Sequence, residues 1–347
     1  PAPAQLNAIM AVSWTWPNIL WLSGLVTAGL QLLTFLVAYL LQFDKLTDIS
    51  GTSNFVLLGW LSYALGAHRY TRQTVNTLLL TAWGVRLGSY LLLRVVRRGH
   101  DARFDEMRAS VGRFGGFFVF QAFWVFLVTL PILLSNATRY DVPIGARDYV
   151  GWTLWTVGFL VEVWADQSKD AFYEQRRSSS STSSSSTRGI ITTGCWSWSR
   201  HPNYWAEITL WLGLFLSCSS SFDAPNNLKG AYPAGLLSPI FTFVILMFLS
   251  GCPLAEQRYN ERHGSEGWYL SYRAQTSPLI PLPPFLYRSL PTWMKSYLLF
   301  ELDMYKKGLP ATGVAAGGEG EREGGMVKGS PNKTTNLIEG TKGRPEV

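Results

Sequence analysis

Seven mostly apolar runs, each separated by polar loops, constrain this chain more than any other feature. A helix needs about 20 mostly apolar residues to cross about 30 Å of hydrocarbon. The runs are 18–41, 54–67, 74–96, 115–135, 149–165, 204–218 and 234–252. The second, fifth and sixth are short, so they either tilt or extend into their neighbours. Backbone N–H and C=O groups in lipid must be paired within the protein, so the runs are expected to be helices. No period-two alternation points to a barrel. The predicted fold class is all-α: a polytopic membrane helix bundle of about seven transmembrane helices, with a short cytoplasmic C-terminal cap. Helices buried in a large soluble core are the alternative.

Averages over the chain conceal this pattern. Mean hydropathy is only +0.09. Charged residues make up 15% of the chain, against roughly 25% in an ordinary globular protein, and there are 15 Trp. Two segments dilute the apolar signal. Residues 178–188 read SSSSTSSSSTR, a low-complexity loop. Residues 311–347 hold almost no large apolar side chain, so they cannot offset their ordering entropy. The expected organisation is an extracytoplasmic or lumenal segment 1–17, a bundle 18–290 carrying the Ser-rich loop, and a cytoplasmic tail 291–347, disordered from about 311. The chain begins with Pro, as expected of a fragment or a processed form.

Loop charge orients the bundle. No Lys or Arg precedes the first run, whereas the loops after the third, fifth and seventh runs are rich in them: Arg97, Arg98, Arg103, Arg108 and Arg113; Lys169, Arg176, Arg177, Arg188 and Arg200; Arg258, Arg262, Arg273 and beyond. The loops between are poor, with Arg69 and Arg72, Arg139 and Arg147, then Lys229. With seven spans all the rich loops share one side, which the positive-inside rule assigns to the cytoplasm together with the C-terminus. The pI of 9.3 is therefore a topology signal. No motif supports a nucleic-acid partner. Cys195, Cys218 and Cys252 are too scattered for a disulfide framework or a zinc knuckle, and the four His show no metal-ligand spacing, so no metal is expected.

Functional candidates are polar residues in costly places. Arg86, Tyr90, Arg94, Glu162, Asp166, Glu207 and Glu256 lie within or beside apolar runs, where charge is usually paired or functional. Arg86, Tyr90 and Arg94 share one helix face, as do Glu162 and Asp166. The structural alternative is that the Arg and acidic stripes pair with each other to hold the bundle together.

The densest cluster is GCWSWSRHPNYWAE, ending at Glu207. Arg200 and His201 precede Pro202, a helix-start pattern that also makes an anion site suited to cofactor phosphates. Asn203, Tyr204 and Glu207 fall on the first turns, where Asn203 and Glu207 could hold a carboxamide or a ribose hydroxyl. A second cluster runs from SGCPLAE, with Glu256 expected to open a helix, through Tyr269 and Tyr272 to a Pro-rich stretch ending at Pro281. It has the composition of an amphipathic cap over the bundle mouth, and Tyr269 could equally be an interfacial anchor.

These stretches resemble the membrane proteins with a steroid 5-alpha-reductase C-terminal domain, in particular the DUF1295 branch. The resemblance rests on WGVRLGSYLLLRVVRRGHDARFDEMR, ending at Arg108, EVWADQSK (162–169), SRHPNYWAE (199–207), SGCPLAE (250–256) and Tyr269 to Pro281. It covers most of residues 20–285. It implies an NADPH-dependent reductase of a C=C bond in a lipophilic substrate, sterol-like or another enone lipid, sited in the endoplasmic reticulum. The nucleotide would be held from the cytoplasmic side by Asp166, Lys169, Arg200, His201, Asn203, Tyr204, Glu207, Glu256, Tyr269 and Tyr272. The steroid enzymes use a Glu–Tyr pair in their N-terminal half. Here Arg86 stands nearest the place of that Tyr, a departure from the steroid enzymes' pattern that leaves Tyr90, one turn on, as the implied proton donor. Membrane methyltransferases of the isoprenylcysteine and phospholipid type, which use S-adenosylmethionine, share a related Arg-His-Pro-x-Tyr motif. They generally show Glu-Glu where this chain has Ala255-Glu256, and they lack ADQSK. A non-catalytic lipid-binding membrane protein is the third reading.

Overall fold

The first helix among the described residues, α1 (Trp16–Leu40), has its polarity inside out. Its buried residues are Ile19, Ser23, Thr27, Gln31, Thr34 and Ala38, while Trp21, Leu25, Leu32, Leu33, Leu36 and Leu40 are exposed. An apolar outer face with a polar seam inside suits hydrocarbon surroundings, not water. The computed structural model describes residues 15–42, 46–98, 110–179, 189–223 and 230–310. The Ser-rich run from 180 to 188, Arg103, Arg108, Lys229, residues 1–14 and the tail from 311 lie outside the described residues, as do the side chains of Arg97 and Arg98.

Ten further α-helices follow among the described residues: α2 (Leu46–Leu65), α3 (Thr71–Arg98), α4 (Val111–Asn136), α5 (Ala146–Ser179), α6 (Pro202–Ser219), α7 (Ala231–Val244), α8 (Cys252–His263), α9 (Gly267–Gln275), α10 (Pro284–Ser289) and α11 (Thr292–Tyr297). No strand occurs among the described residues, only an isolated bridge between Ser199 and Ser277. The fold is all-α. Three stretches are long and apolar enough to cross a membrane: Trp16–Leu40, Val111–Asn136 and Ala231–His263. The other four runs are also helical, but α3 and α5 carry the charged stripes, and α2 and α6 are shorter.

Two boundaries differ from the sequence expectation. The helix bearing Glu256 opens at Cys252, with Pro253 in its first turn, so Glu256 sits one turn inside it. Upstream, α7 ends in a π turn, Ile245–Leu249, in which Ser250 N–H donates to the Ile245 carbonyl at 2.9 Å. Gly251 follows, where a Cβ would come within 2.3 Å of the Leu246 carbonyl oxygen. Only glycine lets the chain pass there.

Helices α5 and α6 touch backbone to backbone. A Cβ on Gly151 would lie 2.6 Å from the Gly213 oxygen, and one on Gly158 2.7 Å from the Ala206 oxygen. This close antiparallel approach brings Glu162 of α5 beside the N-terminal turns of α6. An aromatic group fills the bundle centre. The Phe55 ring lies 5.0 Å from each of Trp83 and Trp124 and 5.6 Å from Trp211. Residues 291–309 are folded too, in one unit that extends to Leu309. Tyr305 is buried and donates to the Met247 carbonyl at 2.6 Å.

Gly158→Val should force α5 and α6 apart. A loss of about 1–3 kcal/mol, as overpacking costs, is expected as a lowered thermal midpoint. Gly116→Ala, with nothing within 4 Å of its Cβ position, should leave the midpoint in place.

Candidate functional site

The site is built where α3, α5 and α6 meet. Arg86 of α3 donates from Nη1 to Glu162 Oε1 at 2.7 Å, and its Nη2 forms a second, short ion pair with Asp166. The i, i+4 stripe on α5 is thus gripped by one planar fork, a geometry that lysine cannot supply. The Arg and acidic stripes do pair with each other, through Arg86. Arg94 binds Asp48 at 3.2 Å. Arg94 lies eight residues, about 12 Å, further along α3, and so meets the start of α2 instead.

Glu207 of α6 adjoins Glu162 and is held by two indoles, Trp211 Nε1–H at 2.7 Å and Trp83 Nε1–H at 3.2 Å. Glu162 Oε2 is buried without a donor. One turn before Glu207, the Asn203 Oδ1 is likewise buried with no hydrogen-bond partner. Tyr90 lies beside this group, its ring 5.6 Å from the Arg86 guanidinium carbon and its hydroxyl donating to Asp170 Oδ1 at 3.4 Å.

A second group surrounds the start of α6. Arg200 is almost wholly buried, and every nitrogen of its guanidinium is engaged. Nε meets Glu256 at 2.9 Å and Nη2 meets Glu301 at 3.0 Å, while Nη1 donates to the carbonyls of Arg273 and Thr276. Arg273 pairs with the other Glu256 oxygen and with Glu301, and also donates to Asn260. His201 Nε2 reaches Glu256 at 2.9 Å, and its ring stacks on Tyr204 at 5.2 Å. Tyr269 donates to Asn260 and Tyr287 to Glu301, both at 2.8 Å. Burial alone would lower the Arg200 guanidinium, but Glu256 and Glu301 outweigh it and hold the group above its ordinary value. Burial pushes His201 below its usual range, against the pull of Glu256. It also pushes Tyr269 up to about 12.

Trp196 joins the two groups. Its indole donates to the Ala165 carbonyl at 3.1 Å, Lys169 lies over its ring at 4.9 Å, and its carbonyl accepts from Tyr272 at 2.6 Å. A cleft is lined here by Ile190, Ile191, Trp196, Arg200, Tyr259 and Tyr272 among others. The sequence-predicted residues therefore fall into two adjacent sets. Asp166, Asn203, Glu207 and Tyr90 attend the Arg86 cluster, and Arg200, His201, Tyr204, Glu256 and Tyr269 attend the ion network. Lys169 and Tyr272 sit on the Trp196 bridge. Arg273, Asn260, Tyr287 and Glu301 were not singled out by sequence reasoning. Glu301 carries no local signal at all, because its partner Arg200 lies a hundred residues earlier. Among the described residues, no group of three His, Cys, Asp or Glu is placed to hold a metal.

Two outcomes follow from this geometry. Arg86→Met strands two carboxylates and should destabilise by about 3–5 kcal/mol, the usual cost of breaking a buried pair. Arg94→Met, at a more exposed pair, should cost less in the same denaturation assay. For His201 the folded imidazole takes up a proton less readily than the unfolded one. Its contribution is therefore complete above about pH 6.5 and lost as pH falls below that value. Thermal midpoints should decline between pH 7 and 5, and His201→Gln should flatten that decline.

Comparison with known proteins agrees with the sequence resemblance. The family described as Protein of unknown function (DUF1295) matches residues 34–276. An uncharacterized protein of Schizosaccharomyces pombe, C594.04c, is 29% identical over 195 residues, which cover 50% of this chain and 56% of that protein. The chain thus spans about half the length of the curated relative it matches. No solved structure matches. All the helices from α2 to α9, and with them both groups of site residues except Glu301 and Tyr287, lie inside the matched stretch, and the chain belongs to the DUF1295 family.

Proposed function

We propose that this protein is a membrane-embedded, NADPH-dependent reductase of a C=C bond in a lipophilic enone or sterol-like lipid. One observation carries the reading: the Asn203 carbonyl oxygen is buried and unpartnered, one turn from Glu207 and beside a carboxyl cluster. A buried acceptor without a donor is costly to the protein alone. It fits a ligand that brings an N–H, as a nicotinamide carboxamide does. The donor and acceptor set around it suits a nucleotide: Asp166 and Glu207 for hydroxyls or amides, Lys169 for a phosphate, Trp196 and Tyr272 to wall the cleft.

When bound, the reduced nicotinamide supplies a hydride. The chain's own residues do the rest. Asn203 orients the carboxamide, and the two indoles fix Glu207 so that its position does not drift. Tyr90 donates a proton to the reduced substrate, its ring held beneath the Arg86 cation. Arg200 and His201 are already satisfied by Glu256 and Glu301, so their role in this reading is to set the shape of the cleft wall.

The same reading places seven helices across the membrane of the endoplasmic reticulum, with the basic loops and C-terminus in the cytoplasm and residues 267–309 as the cap. The purified full chain should bind NADPH saturably. Asn203→Ala should weaken that binding by roughly tenfold or more, the loss of about 1.4 kcal/mol. Deleting the gene should accumulate an unsaturated lipid lighter than its product by two hydrogens, read by mass spectrometry. Tight S-adenosylmethionine binding without NADPH binding would instead identify a methyltransferase, and binding of neither a non-catalytic lipid-binding protein.

A further inference from the structure

The polar seam of α1 is not accounted for by the reductase reading. Many hydroxyls inside this bundle donate to a carbonyl three or four residues back, as Ser50 does to Thr47 and Ser62 to Gly59. Thr34 does so to Leu30 at 2.8 Å, Thr129 to Val125 at 2.7 Å and Thr209 to Trp205 at 2.7 Å. Ser23 and Thr27 do not. Their hydroxyls are buried with no partner, as are both amide atoms of Gln31, both of Asn54 on α2, and the Oε1 of Gln121 on α4. None of these five residues is more than 5% exposed.

These residues share one region. Helices α1, α2 and α4 pack against one another in a triangle. Helix α1 runs antiparallel to α4, with Phe35 against Phe114 and Phe118 and Gly24 against Phe126, and α2 runs parallel to α4, with Gly51 against Gln121 and Ser62 against Asn136. Gln31 lies nine residues before the end of α1, Asn54 eight after the start of α2 and Gln121 ten after the start of α4. At 1.5 Å per residue all three stand at closely similar depth. Gln121 rests over Gly51, one turn before Asn54 on α2. The seam is also separate from the carboxyl cluster, because Phe55, Trp83, Trp124 and Trp211 form an aromatic partition between Asn54 and Glu207.

We propose that the α1–α2–α4 seam is a binding site for the hydroxyl head of an otherwise apolar lipid, entering from the bilayer. Charge complementarity excludes an ionic head, since no cation or carboxylate is among the five unpartnered residues. The direction of the hydrogen bonds selects an alcohol over a ketone. Gln121 spends its Nε2 on the Thr47 carbonyl at 3.0 Å, which fixes its Oε1 as an acceptor awaiting a donor. Gln31 and Asn54 offer N–H donors and further acceptors. A hydroxyl both donates and accepts, and so answers both kinds of orphan. A carbonyl only accepts, and would leave Gln121 unanswered. Ser23, Thr27 and Gln31 precede the family match that begins at residue 34, whereas Asn54 and Gln121 lie inside it. The site thus combines a stretch of this chain outside the family match with the shared bundle.

The test uses the full chain in lipid nanodiscs and a long-chain alcohol with a diazirine beside its hydroxyl. Mapped adducts are expected on peptides containing Ser23 to Gln31, Asn54 or Gln121. The methyl ether of the same probe, which cannot donate, should label these peptides roughly tenfold less, and so should Gln31→Leu with Asn54→Leu. Equal labelling by the ether, or adducts confined to the outward face of α1, would overturn the proposal. Thermal stability supplies an independent reading. Because neither amide has a partner in the bundle, the double variant without probe should melt no lower than the wild type, and only the wild type should gain stability from the alcohol. A marked drop in the unliganded variant would mean that the amides serve packing, and the site would be rejected. NADPH binding need not change in either case.

Discussion

A guanidinium in an apolar bundle must find carboxylates or bring water with it, and Arg86 settles the matter by bridging Glu162 and Asp166 at once. Much of the surrounding arrangement follows. The bridge ties α3 to α5 at one height, and the glycines of α5 bring α6 close enough for Glu207 to adjoin Glu162. Indoles from Trp83 and Trp211 then hold Glu207 from two helices. An ion pair is weak evidence of net stability, but a bidentate one sets register. Here it sets the height of α3 against α5.

The ion network around Arg200 does comparable work at the end of the bundle with a different economy of parts. It draws residues from the loop before α6, from α8, from α9 and from the segment after α11. Glu256 and Glu301 each serve both arginines. A motif that reads as a free phosphate-binding site is therefore already neutralised by the protein's own carboxylates. An incoming anion at Arg200 would have to compete with Glu301, the more accessible of the two acids.

Much of this was legible in the sequence, and the limits have physical causes. Pro202 marks the start of α6 because its fixed φ and missing N–H suit the first helical turn, and the structure begins the helix there. The charged stripes on α3 and α5 were visible from i, i+4 spacing. Which arginine meets which acid was not, because relative helix height is set by glycine contacts between helices and leaves no periodic trace. The polar interior of α1 shows the same limit. Ser23, Thr27 and Gln31 are spaced four apart, yet a stripe of that kind does not say whether it faces lipid, water or protein. Glu301 lay beyond every motif, in a stretch that composition alone assigned to the tail.

The π turn at Ile245–Leu249 has its own consequence. A π turn accommodates one residue more than an α turn, so the face that the following helix presents depends on that extra residue. Glu256 must point at Arg200, His201 and Arg273 together. The spacing between Ile245 and Glu256 is therefore a fixed length in the gene as much as in the fold. A single-codon insertion or deletion would swing that acid out of the network and leave Glu301 alone to balance two buried arginines.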